Sequence, residues 1–284
     1  MAEWFKETLY KQVAQTFEAS AVHFRLKTEH QELMIFENPV VGRVLALDGI
    51  VQTTEADEFV YHEMLTHVPI LAQADARRML IIGGGDGGML EEALKHKAIE
   101  HVTMVEIDRS VVDLCKRYLP SICGDAFEDP RTELVIADGA EFVAQTDQRY
   151  DVIVIDSTDP IGPAESLFRI DFYRNCKRCL RPGGVLVTQN GVPFFQPEEL
   201  TTTFGRLKPL FADVSFYLAS VPTYYGGSMA LGWASDDASL RGQAADQIRP
   251  RFAKAQIATR YYDPAVHAAA FALPRWLQEL LKKA

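Results

Sequence analysis

Carboxylates recur along this sequence, each just after a short apolar run. Asp86 follows Met79-Leu-Ile-Ile82, Glu106 and Asp108 close Val102-Thr-Met-Val105, Asp138 follows Glu133–Ile136, and Asp156 and Asp159 follow Asp151–Ile155. Apolar runs of this length read as buried parallel strands. In an open α/β sheet the ligand lies beyond the carboxyl ends of the strands, so the spacing predicts one crevice lined with acids. Their tasks separate. Glu106 lies about 20 residues past a glycine-rich turn, where an acid can accept both hydroxyls of an adenosine ribose. Asp138-Gly139 falls beside it, at the adenine. Asp86, Asp156 and Asp159 remain for whatever lies past the nucleoside. Three carboxylates in one crevice repel one another unless a cation joins them. No Lys or Arg follows Asp156 and Asp159 closely until Arg169, so the substrate is expected to bring the positive charge. The plainer alternative for Asp156 and Asp159 is turn capping, because Asp-Pro is a common turn dipeptide.

The element that positions these acids is the turn Gly83-Gly-Gly-Asp-Gly-Gly88, six residues of which five are glycine. Glycine lets a ligand approach the backbone closely, and the helix that follows aims its amide N–H groups at that ligand. A tight turn with no ligand would use the same glycines. The acid at Glu106 favours the nucleotide-binding reading.

From Met79 onward, strands and helices alternate. Strands are expected at 79–82, 102–106, 133–136, 151–155 and 184–189, with helices at 87–96, 110–118, 140–145 and 168–180. This pattern predicts a doubly wound parallel sheet. A further helix over 197–210 leads to two late strands, 214–219 and 229–234, expected to pair antiparallel at the sheet edge around Pro222-Thr-Tyr-Tyr-Gly-Gly227. Residues 1–54 read as a small antiparallel β-domain, with Asp48-Gly49 between apolar runs as a hairpin signal. Gln31 and Gln52 fall at its turns or strand ends, where an ordinary exposed amide is also expected. Thr54 is expected to open a helix ending near Val68, before Pro69, so residues 55–284 form the second domain. Tyr61, beside His62, and Tyr224-Tyr225 could wall an aliphatic chain and hydrogen-bond an amine at its end. Tyr61 fits an ordinary core position equally well.

The chain has 284 residues, 39 acids against 29 bases and a net charge of −10. That balance argues against nucleic acid or an anionic membrane as partner and suits a cationic ligand. The N-terminus lacks the pattern of a signal peptide and no apolar run reaches membrane-spanning length, so a cytoplasmic enzyme is expected. Cys176-Lys-Arg-Cys179 has zinc-ligand spacing but sits in a stretch that reads as helix, with no matching His or Cys cluster. Together with Cys115 and Cys123 these are expected to be reduced thiols, and no metal is expected.

The chain resembles the spermidine synthases of the polyamine aminopropyltransferase family, over nearly its whole length. The resemblance rests on Asp48-Gly-Ile-Val-Gln52, Asp57-Glu-Phe-Val-Tyr-His-Glu63, Leu80-Ile-Ile-Gly-Gly-Gly-Asp-Gly-Gly88, Val105-Glu-Ile-Asp108, Asp156-Ser-Thr-Asp-Pro-Ile-Gly-Pro163 and Pro222-Thr-Tyr-Tyr-Gly-Gly227, in that order. It implies an α/β fold with a Rossmann-like, methyltransferase-type sheet. It also implies a reaction, transfer of the aminopropyl group of decarboxylated S-adenosylmethionine to putrescine, giving spermidine and methylthioadenosine. The donor is then a co-substrate and no cofactor is expected. The implied roles are Asp156 as proton acceptor, Asp159 on the far ammonium of the diamine, and Asp86 between the aminopropyl amine and the diamine. Glu106 would hold the ribose and Asp138-Gly139 the adenine, with Gly83, Gln31 and Pro163 helping to seat the nucleoside. Gln52, Tyr61, His62 and Tyr224 would line the polyamine channel, and a homodimer is implied.

Cadaverine, agmatine or spermidine as acceptor would keep the chemistry and change the product. An N-methyltransferase on the same fold is a different reaction, but its intact donor carries a carboxylate that Asp86 would repel. A nucleoside-binding protein without chemistry is the third reading; retention of both Asp156 and Asp159 speaks against it.

Overall fold

A computed structural model of the chain describes residues 3–158 and 162–284; the side chains of residues 162 and 163 lie outside that description. The N-terminal part opens with a hairpin of β1 (Glu3–Lys6) and β2 (Thr16–Ala19). A four-stranded antiparallel sheet follows: β3 (Ala21–Lys27), β4 (Glu32–Asn38), β5 (Gly42–Leu47) and β6 (Ile50–Thr54). The Asp48-Gly49 turn joins β5 to β6 with Leu47 opposite Ile50 and positive φ at both turn residues, 48° and 76°. Such a two-residue turn matches the twist of the strands it connects.

The next helix, α1 (Glu58–Ala72), departs from the expected bounds at both ends. Thr54 is the last residue of β6 rather than a cap; its Oγ1 donates to Asp57 Oδ1 at 2.6 Å, and Asp57 takes the N-cap position. Pro69 does not end the helix. An interior proline costs about 3 kcal/mol, but the turn after it buries Ile70 and Leu71, each contributing roughly 1.5–3 kcal/mol. Burial therefore wins over the lost hydrogen bond.

The second part alternates as expected. The elements are β7 (Arg78–Gly83), α2 (Gly88–Lys95), β8 (His101–Glu106), α3 (Arg109–Tyr118), the short α4 (Pro120–Cys123), β9 (Thr132–Ile136), α5 (Gly139–Gln145) and β10 (Tyr150–Asp156). They continue as α6 (Ile170–Cys179), β11 (Leu180–Gln189), α7 (Pro197–Leu207), β12 (Asp213–Ala219) and β13 (Met229–Ser235). Three helices that the sequence pattern did not suggest close the chain: α8 (Ala245–Ala255), α9 (Pro264–Ala270) and α10 (Arg275–Leu281). The seven-stranded sheet has the order β12-β13-β11-β10-β7-β8-β9, parallel except that β13 is antiparallel to both its neighbours.

Alternation along β7 and β10 makes two cores. Met79, Ile81, Val152 and Val154 face α1 and α2, whereas Leu80, Ile82, Ile153 and Ile155 face α5 and α6. Cys176 and Cys179 belong to the second core, and burial raises both thiols. A third cluster joins Leu33, Ile35, Leu45 and Leu47 of the N-terminal sheet to Val111, Leu114 and Cys115 of α3, fixing that sheet against the crevice. The chain runs outward from β7 through β8 and β9, then returns to β10 on the other side of β7. The gap between the ends of β7 and β10 is therefore the topological switch point where ligands bind in this architecture. Among the described residues, no helix is long and apolar enough to cross a membrane.

Candidate active site

At the switch point Gly83, the last residue of β7, pairs with Asp156, the last of β10. Gly83 has φ +84°, and a Cβ there would lie 2.0 Å from the Asp156 carbonyl oxygen. Only glycine permits this approach. The Gly84 N–H then donates to the same carbonyl at 2.9 Å, which locks the turn to the end of β10.

A cavity of about 230 Å³ opens over this junction. It is lined by Glu106, Asp138 and Gly139, by the turn Gly83–Asp86, and by Gln52, Tyr61, Tyr224 and Asp156. Gln31, in the turn between β3 and β4, also lines it, with its Nε2 3.4 Å from Asp108 Oδ2. The structure thus brings together ten of the residues singled out from sequence. Asp159 lies outside the described residues, as does the side chain of Pro163.

His62 departs from expectation. It does not line the cavity: its side chain is 1% exposed and lies behind Asp86, with Nε2 3.3 Å from Asp86 Oδ2. Its Nδ1 is 2.8 Å from Glu58 Oε2. The cause is helical spacing. Tyr61 and His62 are successive residues of α1 and cannot share a direction. Tyr61 takes the cavity side, and His62 packs onto the start of α2, where a Cβ on Gly88 would lie 2.2 Å from the ring.

The electrostatics follow from burial. Desolvation pushes the Asp156 carboxyl up to about 6, and the nearby Asp86 carboxylate adds to the effect. The Tyr61 hydroxyl donates to Asp156 Oδ1 at 2.6 Å and offsets part of that rise. Burial also pushes Glu106 up to about 7, although its Oε1 accepts the Asp108 N–H at 2.9 Å. Burial alone would depress His62, but Asp86 and then Glu58 outweigh it and hold the imidazole well above its usual range.

His62, Asp86 and Asp156 bring one donor atom each within 4.8 Å of one another. A metal ion there would have to displace the proton that two carboxylates hold on His62. The group is better described as an ion pair, with Asp156 as the second acid.

Asp138 has a second task. Its Oδ1 accepts from Ala140 N at 2.7 Å and Glu141 N at 3.1 Å, capping α5 while the residue borders the cavity. Tyr224 donates to the Gln52 carbonyl and sets its ring edge-on to Tyr61, 5.8 Å between centroids.

Several wall residues were not anticipated. Gln189 ends β11, a fifth strand end on the same side of the sheet, and a search for acids passes over it. Tyr10 arrives from the loop between β1 and β2 and donates to Gln196 Oε1 at 2.9 Å. No local motif marks it.

Comparison with known proteins agrees with this geometry. The family model for the spermine/spermidine synthase domain matches residues 58–243, and that for the spermidine synthase tetramerisation domain matches residues 3–55. The chain is 57% identical over 279 residues to polyamine aminopropyltransferase 1 of Pseudomonas aeruginosa, covering 98% of each chain. It is 55% identical over 280 residues to the polyamine aminopropyltransferase of Pseudomonas syringae, covering 99% of this chain and 98% of that one. Among solved structures it is similar to a spermidine synthase in complex with the transition-state analogue AdoDATO, with a TM-score of 0.93, 37% identity and coverage of 99% and 96%. It is also similar to the spermidine synthase of Thermotoga maritima, with a TM-score of 0.90, 35% identity and coverage of 99% and 94%. With both family models matched and this identity sustained over almost its whole length, the chain belongs to the spermine/spermidine synthase family and is a polyamine aminopropyltransferase.

Proposed function

We propose that the enzyme transfers the aminopropyl group of decarboxylated S-adenosylmethionine to putrescine, with Asp156 as the proton acceptor. The observation that carries this reading is the pair Asp86 and Asp156 facing one cavity with Tyr61, while Glu106, Asp138 and Gly139 line the same cavity. Glu106 would hold the ribose, and Asp138 with Gly139, Gly83, Gln31 and Pro163 the rest of the nucleoside. Asp86 would face the aminopropyl amine. Gln52, Tyr61 and Tyr224 would wall the diamine, with Asp159 on its far ammonium. The spermidine synthase that binds AdoDATO supports a donor of this kind.

The chemistry is a displacement at the carbon next to a sulfonium, with an amine as nucleophile. An alkylammonium has a pKa of about 10.4, so making it neutral at pH 7 costs roughly 4.6 kcal/mol. A carboxylate alone cannot supply that, and a charged one stabilises the ammonium. Apolar and aromatic walls lower the amine's pKa by desolvation, and Asp156 takes the proton as the N–C bond forms. A carboxyl raised to about 6 is a better proton acceptor than an ordinary aspartate while still ionised at pH 7. The sulfonium is already a good leaving group, so the remaining large contribution is alignment of amine, carbon and sulfur.

Residues 3–55 would mediate self-association, with a homodimer as the basic unit. The cytoplasm is the expected compartment.

The deciding experiment is methylthioadenosine release from decarboxylated S-adenosylmethionine with putrescine, cadaverine, agmatine and spermidine in turn, for the parent enzyme and Asp156→Asn. Release with putrescine, reduced 10²- to 10⁴-fold in the variant as expected for a lost general base, supports the reading. Preference for another amine would rename the acceptor, and an undiminished variant would remove Asp156 from the role.

A further inference from the structure

The polar chain that starts beneath the cavity does not end at His62. Glu58, in the first turn of α1, places Oε2 2.8 Å from His62 Nδ1, and His62 Nε2 lies 3.3 Å from Asp86 Oδ2. We propose that Glu58 is a positioning residue for aminopropyl transfer, acting through His62 to fix the Asp86 carboxylate at the cavity wall.

The geometry counts protons. A neutral imidazole has one N–H and one lone pair. Here both ring nitrogens face carboxylates, so only the imidazolium satisfies both. Remove the charge at position 58 and Asp86 is left as the one directly contacting carboxylate that stabilises the imidazolium, which weakens its hold on the second proton. Asp86 is held on its other oxygen by the Gly88 N–H, 2.9 Å from Oδ1. His62 is therefore the group that sets the carboxylate's second direction. The ring abuts Gly88, where there is no space for even a methyl group, so it cannot shift toward the start of α2.

Other charges face His62 from each neighbouring element. Asp156 comes from β10 and Tyr61 from α1 itself; Glu92 comes from α2, and Glu91 of α2 acts on Glu58. Lys95 pairs with both Glu91 and Glu92, at 3.0 and 2.7 Å. The two α2 acids are thus answered locally, which leaves Glu58 and Asp86 as the carboxylates in direct contact with the ring.

The inference rests on the reading that Asp86 faces substrate, and the test separates the two. Glu58→Gln keeps a hydrogen-bond acceptor for Nδ1–H and removes the charge. Substrate KM and kcat are measured by methylthioadenosine release between pH 6.5 and 9. Losing one of its two contacting carboxylates makes His62 give up its proton at lower pH in the variant than in the parent, so the ratio of variant to parent KM should rise at least threefold as pH increases from 6.5 to 9. A ratio constant with pH would overturn the proposal. Imidazole ¹⁵N NMR of the parent enzyme gives a reading independent of substrate and of the variant's folding. Both His62 nitrogens should carry protons at pH 7.5, and a neutral tautomer there would overturn the proposal as well. Two protonated nitrogens with an unaltered KM for every amine would show Glu58 holding His62 without Asp86 meeting substrate, and would also end the positioning role.

Discussion

At the scale of single residues, the site works by making acids less acidic. Asp156 is raised to about 6 chiefly by burial, and the His62 charge and then the Tyr61 hydroxyl limit the rise. Burial and then Asp156 hold the Tyr61 hydroxyl well above its usual range, so it remains a donor throughout the working pH window. Tyr61→Phe therefore removes a hydrogen bond from a carboxylate, an interaction worth about 1.5–3 kcal/mol. The sign is set by which form is bonded. The hydroxyl favours the ionised carboxylate, so its loss moves Asp156 to a higher pKa. The acid limb of the kcat/KM profile should shift upward from about 6, and kcat/KM at pH 7 should fall roughly tenfold, the equivalent of ~1.4 kcal/mol. A profile whose acid limb stays in place or moves down would show that Tyr61 does not act on Asp156.

At the scale of elements, α1 is the part on which most of the site depends. It presents Tyr61 to the cavity and His62 to Asp86, and it anchors the C-terminal segment through Glu63. That carboxylate is buried and accepts three backbone N–H groups, from Arg260 at 2.7 Å, Tyr261 at 2.9 Å and Tyr262 at 2.6 Å. Glu63→Gln leaves one acceptor oxygen for three donors, and stranding a buried N–H costs about 1–3 kcal/mol. Hydrogen exchange should then quicken across α8, α9 and α10 while β7 and β10 stay protected; unchanged exchange in those helices would refute the anchor.

The helix also shows what sequence can reveal. The strands of the parallel sheet were legible because burial on both faces writes continuous apolar runs, and the acids were legible because they follow those runs. The end of α1 was not, because the burial that carries it past Pro69 comes from elements distant in sequence. Helices α8 to α10 were hidden for a related reason. The first turns of α8 and α9 carry Pro, Asp and Ala in patterns common to loops, and a carboxylate nearly 200 positions upstream organises the stretch before α9. Tyr10 and Gln189 reach the cavity by topology alone, and His62 was misplaced because proximity to Tyr61 in sequence does not mean a shared direction on a helix.

At the scale of the whole molecule, the cavity is assembled from both parts of the chain, so its integrity depends on global stability. That stability carries an acid-sensitive component at the C-terminal side. His267 of α9 is fully buried; burial depresses its imidazole to about 3, and Arg251 adds to the effect. Its Nδ1 lies 2.8 Å from the Tyr262 hydroxyl, in the segment that Glu63 anchors. In the unfolded chain the same imidazole has a pKa of about 6.5. Below that value the unfolded state takes up a proton that the native state refuses. Stability is therefore present above pH 6.5 and is lost as pH falls toward 3, by roughly 1.4 kcal/mol per pH unit for this one group. Asp156 and Glu106 titrate in the opposite sense, since their raised values let the native state take up protons first. A comparison of two proteins that share those carboxylates cancels them. His267→Gln removes only the imidazole's titration, and the lost contact with Tyr262 adds a nearly constant offset. Urea unfolding at several pH values gives the difference in stability, parent minus variant. That difference should fall by about 1.4 kcal/mol per pH unit between pH 6 and 4.5. Parallel curves would mean that His267 is protonated in the native state, and the buried pair with Tyr262 would then need a different account.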